Sequence, residues 1–173
     1  MFNDIDFTNF WSECEYSQKH YEEGEVTEEM IQKVEKELDY KLPKSYIELM
    51  KIKNGGTVKN GAHATSTRTS WSDSHIAISS IFGIGFEKTY SLCGRMGSQF
   101  WIEEWRYPAI GIYLCDCPSG GHDMVCLDYS KCGKNGEPEV VHIDQEHNYK
   151  KTFVAANFEE FVKGLKDEEE FEK

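Results

Sequence analysis

Cys115-x-Cys117, His122, Cys126 and Cys132 fall within 18 residues of one another, and thiolates and imidazoles are the side chains that zinc prefers. Cys115 and Cys117 share one face of an extended strand, and Cys126 can join them across a hairpin. The possible ligand set is therefore Cys115, Cys117, His122 and Cys126. Its spacing matches no pair of CxxC knuckles, and reduced cysteines also bury readily as small hydrophobes. The expectation is no metal and no other cofactor. A thiol nucleophile is the second chemistry to weigh, because Cys117 and His122 flank one turn. Such a thiol needs a lowered pKa, and the neighbouring Asp116 and Asp123 push the other way. Carboxylate pairs such as Glu103-Glu104 are frequent, as 31 acids make inevitable, and nothing in the sequence splits their pKa values into an acid and a base. Gly83-x-Gly85 and Gly120-Gly121 fit neither a dinucleotide fingerprint nor a phosphate loop.

Charge is more informative than any of these motifs. Nineteen basic residues face 31 acidic ones, a net charge of -12. Direct contact with nucleic acid is disfavoured, because phosphates need Lys and Arg. Anionic membrane surfaces are disfavoured for the same reason. A basic protein is the partner such a field attracts. Residues 100–150 hold nine acids and four bases, interleaved with Trp101, Trp105, Tyr107, Tyr113 and Tyr129. Acids around aromatic anchors suit a protein contact, although solubility and core packing need the same residue types. The acidic start Met1–Asp6 has no apolar stretch of a signal peptide, and no run is long enough to span a bilayer. A cytoplasmic location is expected, with the six cysteines reduced.

These residues need elements to position them. Phe7, Phe10, Trp11 and Cys14 recur at helical spacing behind Asp6, predicting a first short helix. Thr27 caps a second, with Val26 and Ile31 as staple and Met30, Ile31, Val34 and Leu38 as its apolar stripe. Leu42-Pro43 opens a third with Tyr46, Ile47, Leu49 and Met50 inward, and Asn54-Gly55-Gly56 ends it. Residues 57–74 read as a loop that includes Trp71. Ile76, Ile78 and Ile81-Phe82 predict short strands, and Ser98–Trp105 a short helix. Strands over 110–117, 122–129 and 139–144, separated by two turns, make an antiparallel meander. Tyr149–Val154 adds a strand, and Asn157 caps a closing helix bearing Phe158, Phe161, Val162 and Leu165.

In order, Val26-Thr27-Glu28-Glu29-Met30-Ile31, Leu42-Pro43, Tyr46, Leu49 and Asn54-Gly55-Gly56 resemble the opening of the SUKH superfamily, the Smi/Knr-like proteins. Pro108, Ile110-Gly111, Gly120-Gly121-His122-Asp123, Leu127-Asp128, Gly136-x-Pro138 and Val140-Val141 resemble its strands and Gly-Asp turn, with His122 inserted before the Asp. Asn157-Phe158-Glu159-Glu160-Phe161 resembles its last helix. The resemblance covers about residues 24–166. It implies an α+β fold and a protein-binding role. Bacterial relatives look like immunity proteins that neutralise a toxin's catalytic domain, often a nuclease, and fungal relatives look like regulators of cell-wall synthesis. It supplies no catalytic residue.

The expectations are then these. The fold is α+β, with N-terminal helices and a C-terminal helix on a largely antiparallel sheet. Residues 1–173 form a single domain, with 1–23 a helical extension and 167–173 a charged tail. The function is to bind another protein, a basic toxin domain, by occlusion. The alternatives are a regulatory scaffold or a zinc-dependent or thiol enzyme. The expected contact residues are Trp71, Glu103, Glu104, Trp105, Asp116, Asp123 and Asp128. The sequence sets no oligomeric state.

Overall fold

Side-chain caps at Cys14, Thr27 and Asn157 start three of the helices among the described residues. The computed structural model describes residues 1–172, and Lys173, the end of the expected tail, lies outside the described residues. Along the chain run β1 (Trp11–Ser12), α1 (Glu15–His20), α2 (Glu28–Leu38), α3 (Lys44–Ile52), β2 (Gly56–Val58), β3 (Ala62–Ala64), β4 (His75–Ala77) and β5 (Ser80–Ile81). Then follow α4 (Ser98–Glu103), β6 (Gly111–Asp116), β7 (Asp123–Asp128), β8 (Glu139–Asp144), β9 (Lys150–Ala155) and α5 (Phe158–Lys163). The Thr27 hydroxyl accepts from Met30 N at 3.1 Å, which supplies a partner to one orphan donor of α2. Asp39 ends that helix in the left-handed conformation, φ 63°. Asn157 caps α5 through Glu160 N at 2.9 Å.

The aromatic run Phe7–Trp11 does not make the expected helix. Phe7–Asn9 is one 3-10 turn, and Trp11 then pairs with Val58 across β1 and β2. Phe7, Phe10 and Trp11 pack edge to face instead, with ring centroids 5.3 and 4.8 Å apart. Three bulky rings within five residues gain more from one another than from a regular helix. The helix of this region is α1, which starts eight residues later than expected, behind Cys14 instead of Asp6. The stretch read as a loop over 57–74 also differs. It contains the end of β2 and all of β3, paired with β5 and β4. Residues 59–61 and the segment from Thr65 to Ser74 stay irregular, the latter closed by Thr65 N to Ser74 O at 2.9 Å.

All strand pairs are antiparallel, in three sheets: β1-β2-β5, β3-β4 and the meander β6-β7-β8-β9. The fold is α+β. One apolar cluster joins the helices to the meander. Ile31, Val34 and Leu38 of α2, Tyr46, Leu49 and Met50 of α3, and Phe161 of α5 are buried in it, while Ile47 and Leu165 are half-buried. Tyr46 meets Phe158 edge to face at 5.4 Å, and its hydroxyl donates to Phe82 O. Every residue of β7 is buried, and all of β8 except Glu139. Both faces of these central strands are therefore covered, unlike a sheet with one wet face.

Candidate functional site

The turns between β6 and β7 and between β8 and β9 lie at the same end of the meander. Gly121 makes the first turn possible. Its φ is +98°, and a Cβ there would stand 2.7 Å from the Trp101 ring and 3.0 Å from the Trp105 ring, so only glycine fits. Next to it His122 points outward, edge-on to Trp105 at 5.8 Å. His122 Nδ1 meets Glu146 at 2.8 Å. Tyr149 donates its hydroxyl to Trp105 O. Trp105 is thus half-buried and fixed, at the end of α4, where Glu103 and Glu104 are exposed.

Trp71 reaches the same end of the sheet from the Thr65–Ser74 segment. Ser70 N donates to Asp144 Oδ2 at 2.9 Å, and Lys150 Nζ donates to Arg68 O at 3.0 Å. Trp71 is 36 % exposed, and its Nε1 donates to Glu168 at 2.7 Å. His75 meets the same carboxylate oxygen at 2.9 Å. The bonds from His75 and Trp71 hold the Glu168 carboxyl below its ordinary pKa. Trp105, His122 and Glu146 form a rim at this end of the meander, Glu103 and Glu104 stand just before Trp105 in the chain, and Trp71 with its partner Glu168 is tied to the same end through Ser70 and Asp144. Arg68, Arg106 and Lys150 are the exposed bases there. The rim carries a pattern of both signs within a molecule of strongly negative charge.

Asp116, Asp123 and Asp128 do not belong to that rim, which corrects the expectation that they offer surface contacts. Asp116 accepts from Tyr21 at 2.6 Å and from the Ser80 hydroxyl. Asp123 is 2 % exposed and meets His142 Nε2 at 2.7 Å. Asp128 is 2 % exposed and accepts from Ser130 N at 2.9 Å and Lys151 Nζ at 2.9 Å. For Asp123 and Asp128 the physical reason is the cover on both faces of β7, which leaves no outward side for a strand residue, while Asp116, half-buried at the end of β6, is turned to Tyr21 and Ser80.

The expected thiol and metal sets are also rearranged. Cys117, not the whole group of Cys115, Cys117, His122 and Cys126, joins a cluster, and its partners are Asp123 and His142. Their ligand atoms all lie within 4.8 Å of one another. His122, the imidazole next in sequence, faces solvent. Burial pushes the thiols of Cys115, Cys117 and Cys126 well above their ordinary pKa, with Asp123 adding to the effect at Cys117. A thiol held neutral and buried is a poor nucleophile. His142, Asp144 and Thr152 were not singled out from the sequence. The signal was available only through register, since Asp123 pairs with Asp144, and His142 with Thr152.

A four-stranded antiparallel meander buried among helices, with Asp123 and Asp128 drawn inside and Trp105 half-buried at one end, defines the class: an α+β domain. Residues 28–162 match the model of the SMI1-KNR4 cell-wall family, SUKH_6. The chain belongs to that family. No curated protein matches it. No helix among the described residues is long and apolar enough to cross a membrane.

Proposed function

We propose that this chain is an immunity-type protein that binds the catalytic domain of a toxin and occludes it. The observation that carries the reading is the rim on which Trp105 and Trp71 stand half-exposed among Glu103, Glu104, Glu146 and Glu168. A rigid aromatic held by neighbouring bonds loses little entropy on binding, and such residues dominate contact energetics. The net charge of -12 steers a basic partner toward the molecule from a distance. The alternating charges of the rim then select the orientation. Occlusion needs no catalytic residue on this side of the contact, in keeping with the buried, neutral thiol of Cys117.

The test uses the chain as bait in its native cell extract, followed by an activity assay on the captured protein. A partner whose catalysis falls to background at equimolar chain supports occlusion, and Trp105→Ala with Glu103→Lys should restore that activity. A captured partner with undiminished activity overturns it. That outcome favours a regulatory scaffold, the reading to which the cell-wall description of the family points.

A further inference from the structure

The residues Cys117, Asp123 and His142 come from the end of β6, the start of β7 and the middle of β8. Their exposures are 4, 2 and 0 %. Side chains that meet in such a place are held by the backbone of three strands rather than by their own flexibility. Asp123 Oδ2 meets His142 Nε2 at 2.7 Å, while Asp123 Oδ1 and His142 Nδ1 are buried with no hydrogen-bond partner among the described residues. Leaving buried polar atoms unpaired costs free energy, and native proteins seldom do it twice in one pair. Two further unpartnered atoms stand on the same sheet face. Thr152 Oγ1 is directly opposite His142 in register, and Asp144 Oδ1 is directly opposite Asp123.

We propose that Cys117, Asp123 and His142 form a binding site for a zinc-class divalent cation. Thiolate, carboxylate and imidazole are the three ligand types zinc takes. Around such an ion, bonds of about 2.0–2.3 Å place ligand atoms about 3.3–3.8 Å apart. The three atoms here fall within 4.8 Å of one another, so the cage closes with side-chain adjustments of about an ångström. Asp123 Oδ1 supplies the fourth position, which gives that oxygen a partner. The ion replaces the hydrogen bond between Asp123 and His142, and one proton leaves the Cys117 thiol as the sulfur–metal bond forms. The two positive charges then meet one thiolate, one carboxylate and a neutral imidazole, so the core holds no net charge. With Nε2 on the metal, Nδ1 must carry the imidazole proton. Thr152 Oγ1 and Asp144 Oδ1 are the acceptors nearest in register, and a ligating imidazole is normally oriented by such an acceptor.

The site pins the β6–β7 turn from within, directly behind His122 and Trp105. It is independent of what binds the rim. It replaces the expectation of a metal-free fold, which weighed Cys115 and Cys126 as ligands and did not include His142.

Elemental analysis of the full chain, purified without chelator, should find one zinc-class ion per chain. Because the site is closed, the ion should survive dialysis against a chelator and leave on unfolding. Refolding with cobalt(II) should give an intense near-ultraviolet charge-transfer band from sulfur to cobalt. Cys117→Ser should abolish the band, and Cys115→Ser, the adjacent buried thiol outside the cage, should keep it. A chain free of transition metal that also shows no band after refolding with cobalt overturns the proposal. Retention of the band in Cys117→Ser overturns it equally. The wild-type measurements decide even where a variant folds poorly.

Discussion

His122 and Asp123 are neighbours in sequence and belong to different worlds. The His122 side chain is 49 % exposed and pairs with an exposed Glu146, whereas Asp123 is buried and pairs with a His142 that is fully buried. The same contrast runs along the whole meander. Glu103, Glu104 and Glu146 look outward, and Asp116, Asp123, Asp128 and Asp144 are drawn toward the protein's own donors. Both groups are carboxylates, so charge does not separate them. Position does: the outer acids stand on a helix end and a turn, the inner ones on strands covered from both sides. A net charge of -12 therefore overstates how much acid is free to meet a partner.

The contrast is sharpest at the two histidines. His142→Ala leaves Asp123 buried without its partner and should cost about 3–5 kcal/mol of unfolding free energy. His122→Ala breaks a solvent-exposed pair and should cost under about 1 kcal/mol. Urea unfolding of both variants measures the difference, and equal costs would erase the distinction between inside and rim. Leu38→Ala in α2 should fall just below the first value, at about 2–5 kcal/mol, as for other buried leucines. A loss smaller than about 1 kcal/mol would remove α2 from the core.

The helices and strands were legible because their signals are local. Thr27 is followed by a 3.6-residue apolar stripe, Asn157 caps the last helix, and turn residues separate the meander strands. The boundaries of β6, β7 and β8 fall within one or two residues of those expected. The early aromatic run misled because its apolar spacing suits a helix, while its rings gain more from edge-to-face packing and from pairing with β2. The site was legible only in part. Trp105, Glu103 and Glu104 sit on a helix end whose exposure follows from local sequence. Asp123 and Asp128 could not be told from surface acids, because their burial depends on what lies over β7, a long-range property. His142 carried no signal at all, since its partner is 19 positions away and meets it only through strand register.

Two inner aspartates separate further by the sign of their pH dependence. Burial raises the Asp116 carboxyl pKa, against hydrogen bonds from Ser80 and Tyr21. At Asp128 burial also pulls upward, but bonds from Ser130 and Lys151 outweigh it and hold the carboxyl below its ordinary value. A lowered carboxyl contributes stability above its unfolded pKa of about 3.9, and that contribution is lost as pH falls through the folded value. A raised one does the reverse, lowering stability as pH rises from about 3.9 through its higher folded value. Asp128→Asn should therefore lose about 1–2 kcal/mol against wild type at neutral pH, a deficit that shrinks in acid. Asp116→Asn should gain on wild type as pH rises from about 3 to about 7. Urea unfolding across that range checks both, and parallel curves for the two variants would show that the environments are alike.

The smallest effect on the fold is expected at Glu103 and Glu104, and it is the one that tests whether the rim acts in binding. Both carboxylates are exposed at the end of α4, and neither takes part in an ion pair among the described residues. Reversing both to Lys should leave unfolding free energy within about 0.5 kcal/mol of wild type. The charge of the rim beside Trp105 changes by four. Long-range attraction acts on encounter, so the association rate with a basic partner should fall. The dissociation rate should hold, because it follows the close contacts of the buried part of the interface. Trp105→Ala should do the opposite, speeding dissociation with little change in encounter. Salt provides the control: screening shortens the reach of these charges to about 8 Å at 0.15 M, so the wild-type association rate should fall with added salt and the reversed variant should respond less. Kinetics at two salt concentrations, run on the partner captured from extract, separate the two contributions. An association rate indifferent to both salt and reversal would place the contact elsewhere on the molecule and leave the acids of the rim to solubility alone.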